Sequence, residues 1–415
     1  MKKPQTIWII NKDAAPTKEY ATHIRSTREA DFFQKCGYDV KIICGNRIHN
    51  SQIVHPVRGH YSIEHHDGVK YVFVKTMKYG NSTIKRVLSY FLFSLKVFKL
   101  KALGKPDIII HDTKTPFDML ILRFARKNKA KYIVDVEDLW PRCFEFMGFL
   151  SHKNPIMKCL YALERKLYTE ADHVVFTMEG GKDYMRDHKW DKENGGSIDL
   201  KKIHYVNNGI VLKDFDLNRE KFKIEDSDLE DNSIFKVIYL GSIREANNLI
   251  QLINAAKCLL DTPQIKIFIY GDGPERKILE DKCVSEEITN VYFKQKWINP
   301  EYVPYVLSKA DVNILNYTLG WAHYGGSMNK MFMSFASGKP MVCNADLSYS
   351  EIKRRRLGID DYLDTPQKYA DAIKSIYALP KGEYNEMCER VRATAKLYDI
   401  PYLMESLANY CEIGV

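Results

Sequence analysis

Residues 236–273 read KVIYLGSIREANNLIQLINAAKCLLDTPQIKIFIYGDG, and this stretch decides the fold. Two short β-rich runs, Lys236–Leu240 and Ile265–Tyr270, flank its central part. Between them, five apolar residues recur at i, i+3, i+4, i+7 and i+11, which places them on one face of a helix. They are Leu249, Leu252, Ile253, Ala256 and Leu260. The order strand, helix, strand predicts a βαβ unit with parallel strands.

The same alternation of short β-rich runs with longer helical segments extends along the whole chain. In the first half the predicted strands are Thr6–Ile10, Val40–Cys44, Tyr71–Val74, Asp107–His111, Tyr132–Val136, Val174–Phe176 and Ile203–Val206. In the second half they are Lys236–Leu240, Ile265–Tyr270, Val291–Lys294, Val312–Leu315 and Met341–Cys343. A polar stretch of weak periodicity, Asp214–Ser233, separates the halves. We therefore predict an α/β protein with two Rossmann-like parallel-sheet domains that face a cleft.

Length and composition agree with a globular protein of more than one domain. The chain has 415 residues, of which 45% are apolar and 28% charged, so a disordered or fibrous protein is excluded. The net charge of +9 is uneven, because residues 1–210 hold 36 basic and 23 acidic residues while the remainder holds 26 and 30. The basic first half needs a local explanation.

Cysteine usage and hydropathy indicate a cytoplasmic protein. The nine cysteines are scattered, with no CxxC or zinc-ligand spacing, which predicts inert buried thiols in a reducing compartment. The four-residue apolar run near the N-terminus is too short for a signal peptide. The most apolar stretch elsewhere, Val87–Leu100, contains two lysines and is shorter than the ~20 residues that span a bilayer.

Glycine-rich loops follow two strands of the second half. After Lys236–Leu240, Gly241 permits a tight turn and Arg244 lies near the start of a helix, a combination that suits phosphate. After Ile265–Tyr270, Gly271 and Gly273 would let the backbone approach a ligand. This second loop lacks the third glycine and the downstream acid of a dinucleotide fingerprint, which disfavours a Rossmann oxidoreductase.

A third loop, YGGSMNKMFMSFASGKP, places Ser327 just ahead of a helix that contains Lys330. It does not have the spacing of a P-loop. Each loop taken singly is equally well explained as an ordinary turn with solvated charges.

Taken together and in this order, the loops resemble glycosyltransferases of the GT-B fold, specifically the group-one set also called glycosyltransferase family 4. The second-half segments that carry the resemblance are YLGSIREANNLIQLINAAKCL, IFIYGDGPERKIL, VYFKQKWINPEYVPYVLSKADVNIL and SMNKMFMSFASGKPMV. In the first half they are GYDVKII, VDVEDLWPRCFEFMG and NNGIVLKDF. The second of these resembles a segment of bacterial envelope sugar transferases.

The resemblance implies a hexosyltransferase-type enzyme that moves a sugar to a growing cell-envelope glycan or lipid-linked acceptor, as in capsule or O-antigen synthesis. The co-substrate would be a UDP- or GDP-linked sugar, and the transfer would be retaining, with neither a metal nor another cofactor. It also implies an acceptor domain over residues 1–214, a donor domain over 215–390, and a C-terminal helix in 391–415 that crosses back to the first domain.

The resemblance also assigns residues. Those that match the donor site are Gly241, Arg244, Gly271, Gly273, Trp297, Ile298, Ser327, Asn329, Lys330 and Met333. Arg244 and Lys330 match the diphosphate positions, whereas Trp297 and Ile298 match segments around the base.

In the first half, Glu137, Asp138 and His111 lie at predicted strand ends and are candidates for contacts with the acceptor or the transferred sugar. Arg25 and Asp112 lie on other such ends, and Asp138 has the alternative role of a helix N-cap.

One departure puts activity in question. The ribose-binding glutamate of the family falls on Met333, and a thioether cannot bind two ribose hydroxyls. Ribose recognition is then either rebuilt from other groups or lost. The alternatives to an active transferase are a catalytically weakened nucleotide-binding or partner subunit, and a GT-B sugar epimerase or phosphorylase.

The segment 84–106, IKRVLSYFLFSLKVFKLKALGKP, mixes large apolar residues with six basic ones. This composition predicts an interfacial helix against the anionic inner face of the plasma membrane, where a lipid-linked acceptor would be found. The alternative is an amphipathic helix packed on the first sheet with its lysines reaching solvent. We do not expect a nucleic-acid partner, because no recognised binding motif accompanies the basic residues.

Overall fold

The computed structural model describes residues 4–20, 24–48, 51, 53–77, 82–146, 148–318 and 323–415. The chain divides into two compact units. Unit 1 comprises Met1–Asn207 and Met404–Val415, and unit 2 comprises Asn208–Leu403. The sequence placed these divisions after residues 214 and 390. The structure moves them because Ile210 and Asp399 form a parallel β-bridge, which holds both connecting segments within unit 2.

Unit 1 contains an eight-stranded sheet in the order β3-β4-β2-β1-β5-β6-β7-β8, parallel except for β3. Its strands are β1 Thr6–Ile10, β2 Asp39–Gly45, β3 Tyr61–His66, β4 Val69–Val74, β5 Ile108–Asp112, β6 Lys131–Val136, β7 His173–Phe176 and β8 Ile203–Tyr205. Its helices are α1 Thr17–Tyr20, α2 Ile24–Lys35, α3 Thr83–Val97, α4 Asp118–Asn128, α5 Arg142–Phe146, α6 Pro155–Glu170 and α7 Gly181–Asp187.

Unit 2 contains a six-stranded parallel sheet in the order β11-β10-β9-β12-β13-β14. Its helices are α8 Leu212–Lys221, α9 Ser227–Glu230, α10 Ile250–Lys257, α11 Arg276–Ser285, α12 Val303–Lys309, α13 Asn329–Ser337, α14 Glu351–Arg355, α15 Pro366–Tyr377 and α16 Lys381–Ala395. Its strands are β9 Phe235–Leu240, β10 Ile265–Tyr270, β11 Val291–Phe293, β12 Val312–Leu315, β13 Met341–Cys343 and β14 Gly358–Asp360. The last helix, α17 Ile400–Tyr410, contains the division between the units.

All twelve predicted strands are confirmed to within two residues at either end. They are recognisable because parallel strands covered on both faces are continuous apolar runs, and all five residues of β1 are buried. Two edge strands were missed. β3 has the sequence YSIEHH, whose polar residues are those of a solvated edge, and β14 has only three residues.

The predicted face of α10 is largely confirmed, since Leu249, Leu252, Ile253 and Ala256 are fully buried in the main core of unit 2. Leu260 is the exception, because the helix ends at Lys257 and this side chain is exposed.

The polar stretch Asp214–Ser233 is more ordered than predicted. It contains most of α8 and all of α9, and Phe215 is buried in a core cluster of unit 2. Charged residues surround most of α8, so its sequence does not show the apolar face of an amphipathic helix.

The cysteines are less uniformly buried than predicted. Cys36 and Cys159 are exposed, whereas Cys44, Cys283, Cys343 and Cys411 are buried, and all nine are free thiols. Burial raises the pKa of Cys283 to about 11, so this thiol is unreactive near neutral pH. In the described part of the chain, no helix has both the length and the apolarity needed to cross a membrane.

Candidate functional site

The loops after β9 and β10 in unit 2 pack directly against each other. The Ile243 amide donates to the Asp272 carbonyl at 2.9 Å. A Cβ on Gly271 would lie 1.9 Å from the Gly241 carbonyl oxygen, and one on Gly273 would lie 2.1 Å from the Ile243 carbonyl oxygen. The two glycines are therefore required by the contact between loops, and their approach to a ligand stays a prediction.

Lys330, in the first turn of α13, extends to the Gly241 loop. A Cβ on Gly241 would lie 2.5 Å from Lys330 Nζ. The ammonium group donates to the Tyr239 hydroxyl at 2.7 Å and lies 4.4 Å from the centre of that ring. Burial lowers the pKa of Lys330 to about 8. The fold thus brings together Gly241 and Lys330, two of the residues predicted from sequence.

The hydrogen bonds around Tyr239 leave donors of Lys330 unused. The Tyr239 hydroxyl donates to the Ser242 carbonyl at 2.6 Å, so it accepts from Lys330. An ammonium group has three N–H donors, and the Tyr239 hydroxyl is the only hydrogen-bond partner of Lys330 Nζ among the described residues. A largely desolvated cation with free donors is suited to an anionic ligand.

The N-terminus of α13 is open to an anion. Its N-cap residue, Met328, has no side-chain oxygen to accept from the first amides, and the first turn contains no acidic residue. Ser327 Oγ is buried and has no hydrogen-bond partner within the described ranges, while Asn329 is exposed. Free N–H groups at the positive end of the helix dipole, next to Lys330, form an arrangement that can hold a phosphate.

Arg244 is exposed and, in the described part of the chain, makes neither a hydrogen bond nor an ion pair through its side chain. The sequence placed it near a helix start. In the structure a 3₁₀ turn, Glu245–Asn247, follows it and α10 begins only at Ile250. The loop is held by Asn316, whose side-chain amide donates to the carbonyls of Asn247 and Asn248 at 2.8 and 2.6 Å.

The two residues matched to the base lie in different environments. The Trp297 side chain is 74% exposed, and its indole N–H donates to Asn299 Oδ1 at 3.2 Å. Ile298 is partly buried and packs against a core cluster that includes Phe268 and Val306. Ile298 therefore anchors the loop, and Trp297 presents an open aromatic face.

Met333 is the residue on which the family resemblance places the ribose-binding acid. It is partly buried and packs against two apolar clusters of unit 2, one around Phe332 and Phe335 and the other around Phe268. Met333 therefore packs at the edge of the hydrophobic core, and its thioether is too weak an acceptor to replace a carboxylate that binds ribose hydroxyls.

In unit 1, Arg25 is part of a buried ion network. Its guanidinium donates to both oxygens of Asp135 at 2.7 and 2.9 Å and to the Asn207 carbonyl at 3.3 Å. Glu29 Oε1 lies 3.3 Å from the same guanidinium, and burial raises the pKa of Glu29. The sequence singled out Arg25 but missed both acids, because nothing in their spacing shows that three charges meet inside one unit.

Glu137 and Asp138 follow β6 and differ in exposure. Burial raises the pKa of Glu137 against the opposing charge of Lys114, whereas Asp138 is exposed. Lys114 Nζ lies 2.7 Å from Asp112 Oδ2. Helix α5 begins at Arg142, four residues after Asp138, so Asp138 is not its N-cap.

His111 is 3% exposed and has protein partners at both ring nitrogens. Nδ1 lies 2.6 Å from the Tyr132 hydroxyl, and Nε2 lies 3.7 Å from Asp118 Oδ1. Burial lowers the pKa of His111 to about 3, so the ring is neutral near pH 7. These contacts indicate a structural role, and a catalytic one stays a prediction.

Comparison with known families places a domain in unit 2. Residues 220–397 match the family described as glycosyl transferases group 1. The match spans the β9 and β10 loops, Arg244 and α13, and it covers less than half of the chain. No curated protein matches the chain by sequence.

Solved structures resemble the chain over almost its full length. An α,α-trehalose 6-phosphate synthase from Burkholderia multivorans has a TM-score of 0.72 at 12% identity, covering 99% of this chain and 98% of that one. HepE from Anabaena, in complex with UDP and glucose, has a TM-score of 0.63 at 12% identity, and the match covers 98% of this chain and 99% of that one. WaaG, a glycosyltransferase involved in lipopolysaccharide biosynthesis, has a TM-score of 0.65 at 13% identity, and the match covers 98% of this chain and 100% of that one. The predicted fold of two parallel-sheet α/β domains, GT-B, is confirmed.

Proposed function

We propose, from the premise that residues 220–397 form a glycosyl transferases group 1 domain, that the protein transfers a sugar from a UDP- or GDP-linked donor to a cell-envelope glycan or lipid-linked acceptor. One observation carries the proposal. Lys330, with unused donors, lies at the open N-terminus of α13 and against the Gly241 loop. That arrangement provides the positive charge that a nucleoside diphosphate needs.

In this proposal unit 2 holds the donor. The leaving group is a nucleoside diphosphate, whose negative charge increases as the glycosidic bond breaks. Lys330, Arg244 and the first N–H groups of α13 stabilise that charge, and Ser327 donates its unpaired hydroxyl to a phosphate oxygen. Trp297 stacks on the base. We propose transfer with retention of the anomeric configuration, as in the family that the sequence resembles.

In unit 1, we propose that Glu137 and Asp138 contact the acceptor or the transferred sugar. Both follow β6, and ligands of parallel α/β sheets bind at the carboxyl ends of strands. Asp138 is exposed and can reach a ligand. His111, at the carboxyl end of β5, stays a candidate for these contacts, with Tyr132 and Asp118 beside its ring.

Met333 supports a second candidate, a catalytically weakened nucleotide-binding or partner subunit. Two experiments, a binding titration and a hydrolysis assay, distinguish it from an active transferase. Isothermal titration with UDP and GDP measures the site itself, and a hydrolysis assay on a panel of UDP- and GDP-sugars measures chemistry. Binding with turnover of one donor supports the transferase, and binding without turnover of any donor supports the subunit. If neither nucleotide binds, both functions are wrong.

We also propose that α3 attaches unit 1 to an anionic membrane. One face of the helix is buried through Ser89, Phe93 and Val97. Another exposes Val87, Leu88 and Leu95, whose side chains are 49, 42 and 38% exposed. The helix therefore packs on unit 1 and still presents an apolar surface.

Basic residues flank that surface. Lys85, Arg86, Lys99, Lys101 and Lys105 are exposed, whereas Lys96 donates to the Lys75 carbonyl. Each exposed cation near an anionic leaflet contributes about 1 kcal/mol of attraction. Apolar side chains between cations are the composition of an interfacial helix.

Vesicle sedimentation tests the attachment. The full chain should pellet with anionic vesicles at low salt and much less with neutral ones, since salt and neutral lipid both remove the attraction. Leu88→Glu with Leu95→Glu should abolish pelleting, whereas Lys127→Glu on the exposed part of α4 should lower it only slightly. Equal pelleting with neutral and anionic vesicles would contradict the proposal.

A further inference from the structure

A groove of about 630 Å³ lies on unit 1, along the outer face of α6. Lys158, Tyr161, Ala162, Arg165, Lys166 and Thr169 line it, at the spacing of one helix face. His188, Trp190 and Ser197, which follow α7 in the chain, also line the groove, as do Glu145 and His152. From Lys158 to Glu170 the helix rises about 18 Å, so the groove is elongated.

The floor of the groove is aromatic. The ring of His188 stacks on Trp190 with centroids 4.6 Å apart and planes at 24°, and Tyr161 lies 4.8 Å from His188. Trp190 is 6% exposed, so its ring supports the floor from below, whereas Tyr161 and His188 are partly exposed. Flat apolar rings with polar groups at their edges form a surface on which a sugar ring can stack.

Cations form the rim. Lys158 and Arg165 are exposed, and neither side chain makes an ion pair or a hydrogen bond within the described residues. Lys166 is partly neutralised by Glu170, 3.7 Å away. Arg142 lies near the same rings, where its charge, after burial, helps lower the pKa of His188 to about 4. The uncompensated charge of the rim is therefore positive.

Polar side chains also line the groove. The Tyr161 hydroxyl and Glu145 Oε1 are both buried, and burial together with the neighbouring Glu145 carboxylate raises the pKa of Tyr161. The hydroxyls of Thr169 and Ser197, which also line the groove, lie 3.1 Å apart, and Thr169 donates to the Arg165 carbonyl at 2.8 Å. Hydroxyl-rich ligands can satisfy such groups.

From these features we propose that the groove binds an acidic oligosaccharide segment of the acceptor glycan. Its sugar rings stack on Tyr161 and His188, and its carboxylate or phosphate groups pair with Lys158 and Arg165. Glu145 of α5, the helix that follows Asp138 in the chain, is among the residues that line the groove. The choice of a glycan as ligand rests on the proposed function.

Titration of the full chain with defined tetrasaccharides tests the proposal. The probes are acidic tetrasaccharides of galacturonate, hyaluronan and sialic acid, with cellotetraose and maltotetraose as neutral counterparts. We expect at least one acidic probe to bind more tightly than both neutral ones, with an affinity that falls as salt increases. Hydrogen exchange should show protection in 158–170 and 188–197.

Variants locate the binding in the groove. Arg165→Ala and Lys158→Ala should each lower the affinity for the acidic probe about tenfold, which is the effect of losing one charge-assisted hydrogen bond. Both side chains are exposed, so folding is unaffected. Tyr161→Leu should lower the affinity for acidic and neutral probes alike. Lys127 is an exposed lysine on α4, and Lys127→Ala should leave both affinities unchanged.

Three outcomes would overturn the proposal. They are equal binding of acidic and neutral probes, protection confined to other segments, and tighter binding of a single-stranded oligonucleotide than of every acidic tetrasaccharide. Failure of the proposed function looks different, because UDP titration and donor hydrolysis report on unit 2. If UDP binds and no acidic tetrasaccharide does, only the groove proposal is wrong. If an acidic probe binds and no donor is turned over, the groove stands without the transferase.

Discussion

Lys330 and Arg244 are both predicted to bind the diphosphate, but the structure gives them different environments. Lys330 is mostly enclosed by Tyr239 and the Gly241 loop, and burial lowers its pKa to about 8. Arg244 is exposed on the loop before a 3₁₀ turn. A buried cation interacts more strongly with an anion than an exposed one, because less water screens the charge.

We expect Lys330→Ala to weaken UDP binding by about 1–3 kcal/mol, the range for a lost charge-assisted hydrogen bond. Arg244→Ala should have a smaller effect that disappears at high salt, since surface charges are screened. Isothermal titration measures both. Lys381→Ala is the matched control, because this exposed lysine lies on α16 and outside the site. Unchanged affinity in Lys330→Ala would remove the residue from the site.

The pKa of Lys330 also predicts a pH dependence. Only the ammonium form attracts the diphosphate, and in the free protein it is lost as the pH rises through about 8. The contribution of Lys330 to UDP affinity should therefore be nearly constant below about pH 7, decrease through pH 8 and fall by up to about tenfold per pH unit above it. Binding at pH 9 should take up a proton, measurable by calorimetry in two buffers. The same fall in Lys330→Ala would show that another group is responsible.

Among single residues, the sequence identified those that belong to a motif and missed those that belong to a buried ion network. Gly241 and Arg244 were found in the loop after a predicted strand, and Lys330 was found because the segment SMNKMFMSFASGKPMV resembles the glycosyltransferase family. Asp135, which pairs with Arg25, was missed because the two residues are distant in sequence, whereas Glu29 lies only four residues from Arg25 on α2 and its burial has no local signal. A single sequence does not show which charges meet in a low-dielectric interior.

At the scale of elements, the β9 and β10 loops form one unit. Gly271 has φ +129°, and any Cβ there would collide with the Gly241 carbonyl. The site therefore depends on two loops that fit only without side chains. Lys330 depends on them in turn, because its ammonium group lies beside Gly241.

Gly271→Ala should destabilise unit 2 by about 2 kcal/mol or more, through backbone strain and the clash with the Gly241 carbonyl oxygen. It should also weaken UDP binding, because the loops position Lys330. The matched control is Gly382→Ala in α16, where a Cβ meets nothing within 4 Å. That change should stabilise the helix by about 0.5–1 kcal/mol. Chemical denaturation checks both, and equal effects of the two substitutions would contradict the interpretation.

Whether an element could be predicted depended on how its apolar residues are arranged. The central strands were predictable because their apolar runs are continuous. The edge strand β3 and the polar helix α8 were not, since an edge strand or a surface helix needs few buried side chains to form.

At the scale of the whole molecule, unit 1 is completed by the last twelve residues, Met404–Val415. The Tyr38 hydroxyl donates to the Gly414 carbonyl at 2.5 Å, and Lys131 donates to the Cys411 carbonyl at 2.9 Å. The Tyr410 ring stacks on His204 with centroids 5.2 Å apart. Leu407 is 1% exposed, so the segment contributes core as well as hydrogen bonds.

Leu407→Ala should therefore destabilise unit 1 by about 2–5 kcal/mol, the cost of removing a buried leucine side chain. UDP affinity should stay within about twofold of the unchanged protein, because the proposed nucleotide site lies in unit 2. Hydrogen exchange followed separately in β1 and β9 distinguishes the units, and Glu405→Ala, an exposed neighbour on α17, is the control. Loss of protection in β9 but not in β1 would contradict the assignment of this segment.

The sequence alone was enough to predict two parallel α/β sheets, the positions of twelve strands along the chain and the loop segments that contain Gly241 and Lys330, because buried strands and glycine turns leave local patterns. Only the tertiary structure decided that 404–415 belongs to unit 1, that the glycines pack loop against loop, and that His111 is enclosed. It also revealed the groove along α6. These features depend on contacts between residues far apart in the chain, and no local pattern records which residues meet.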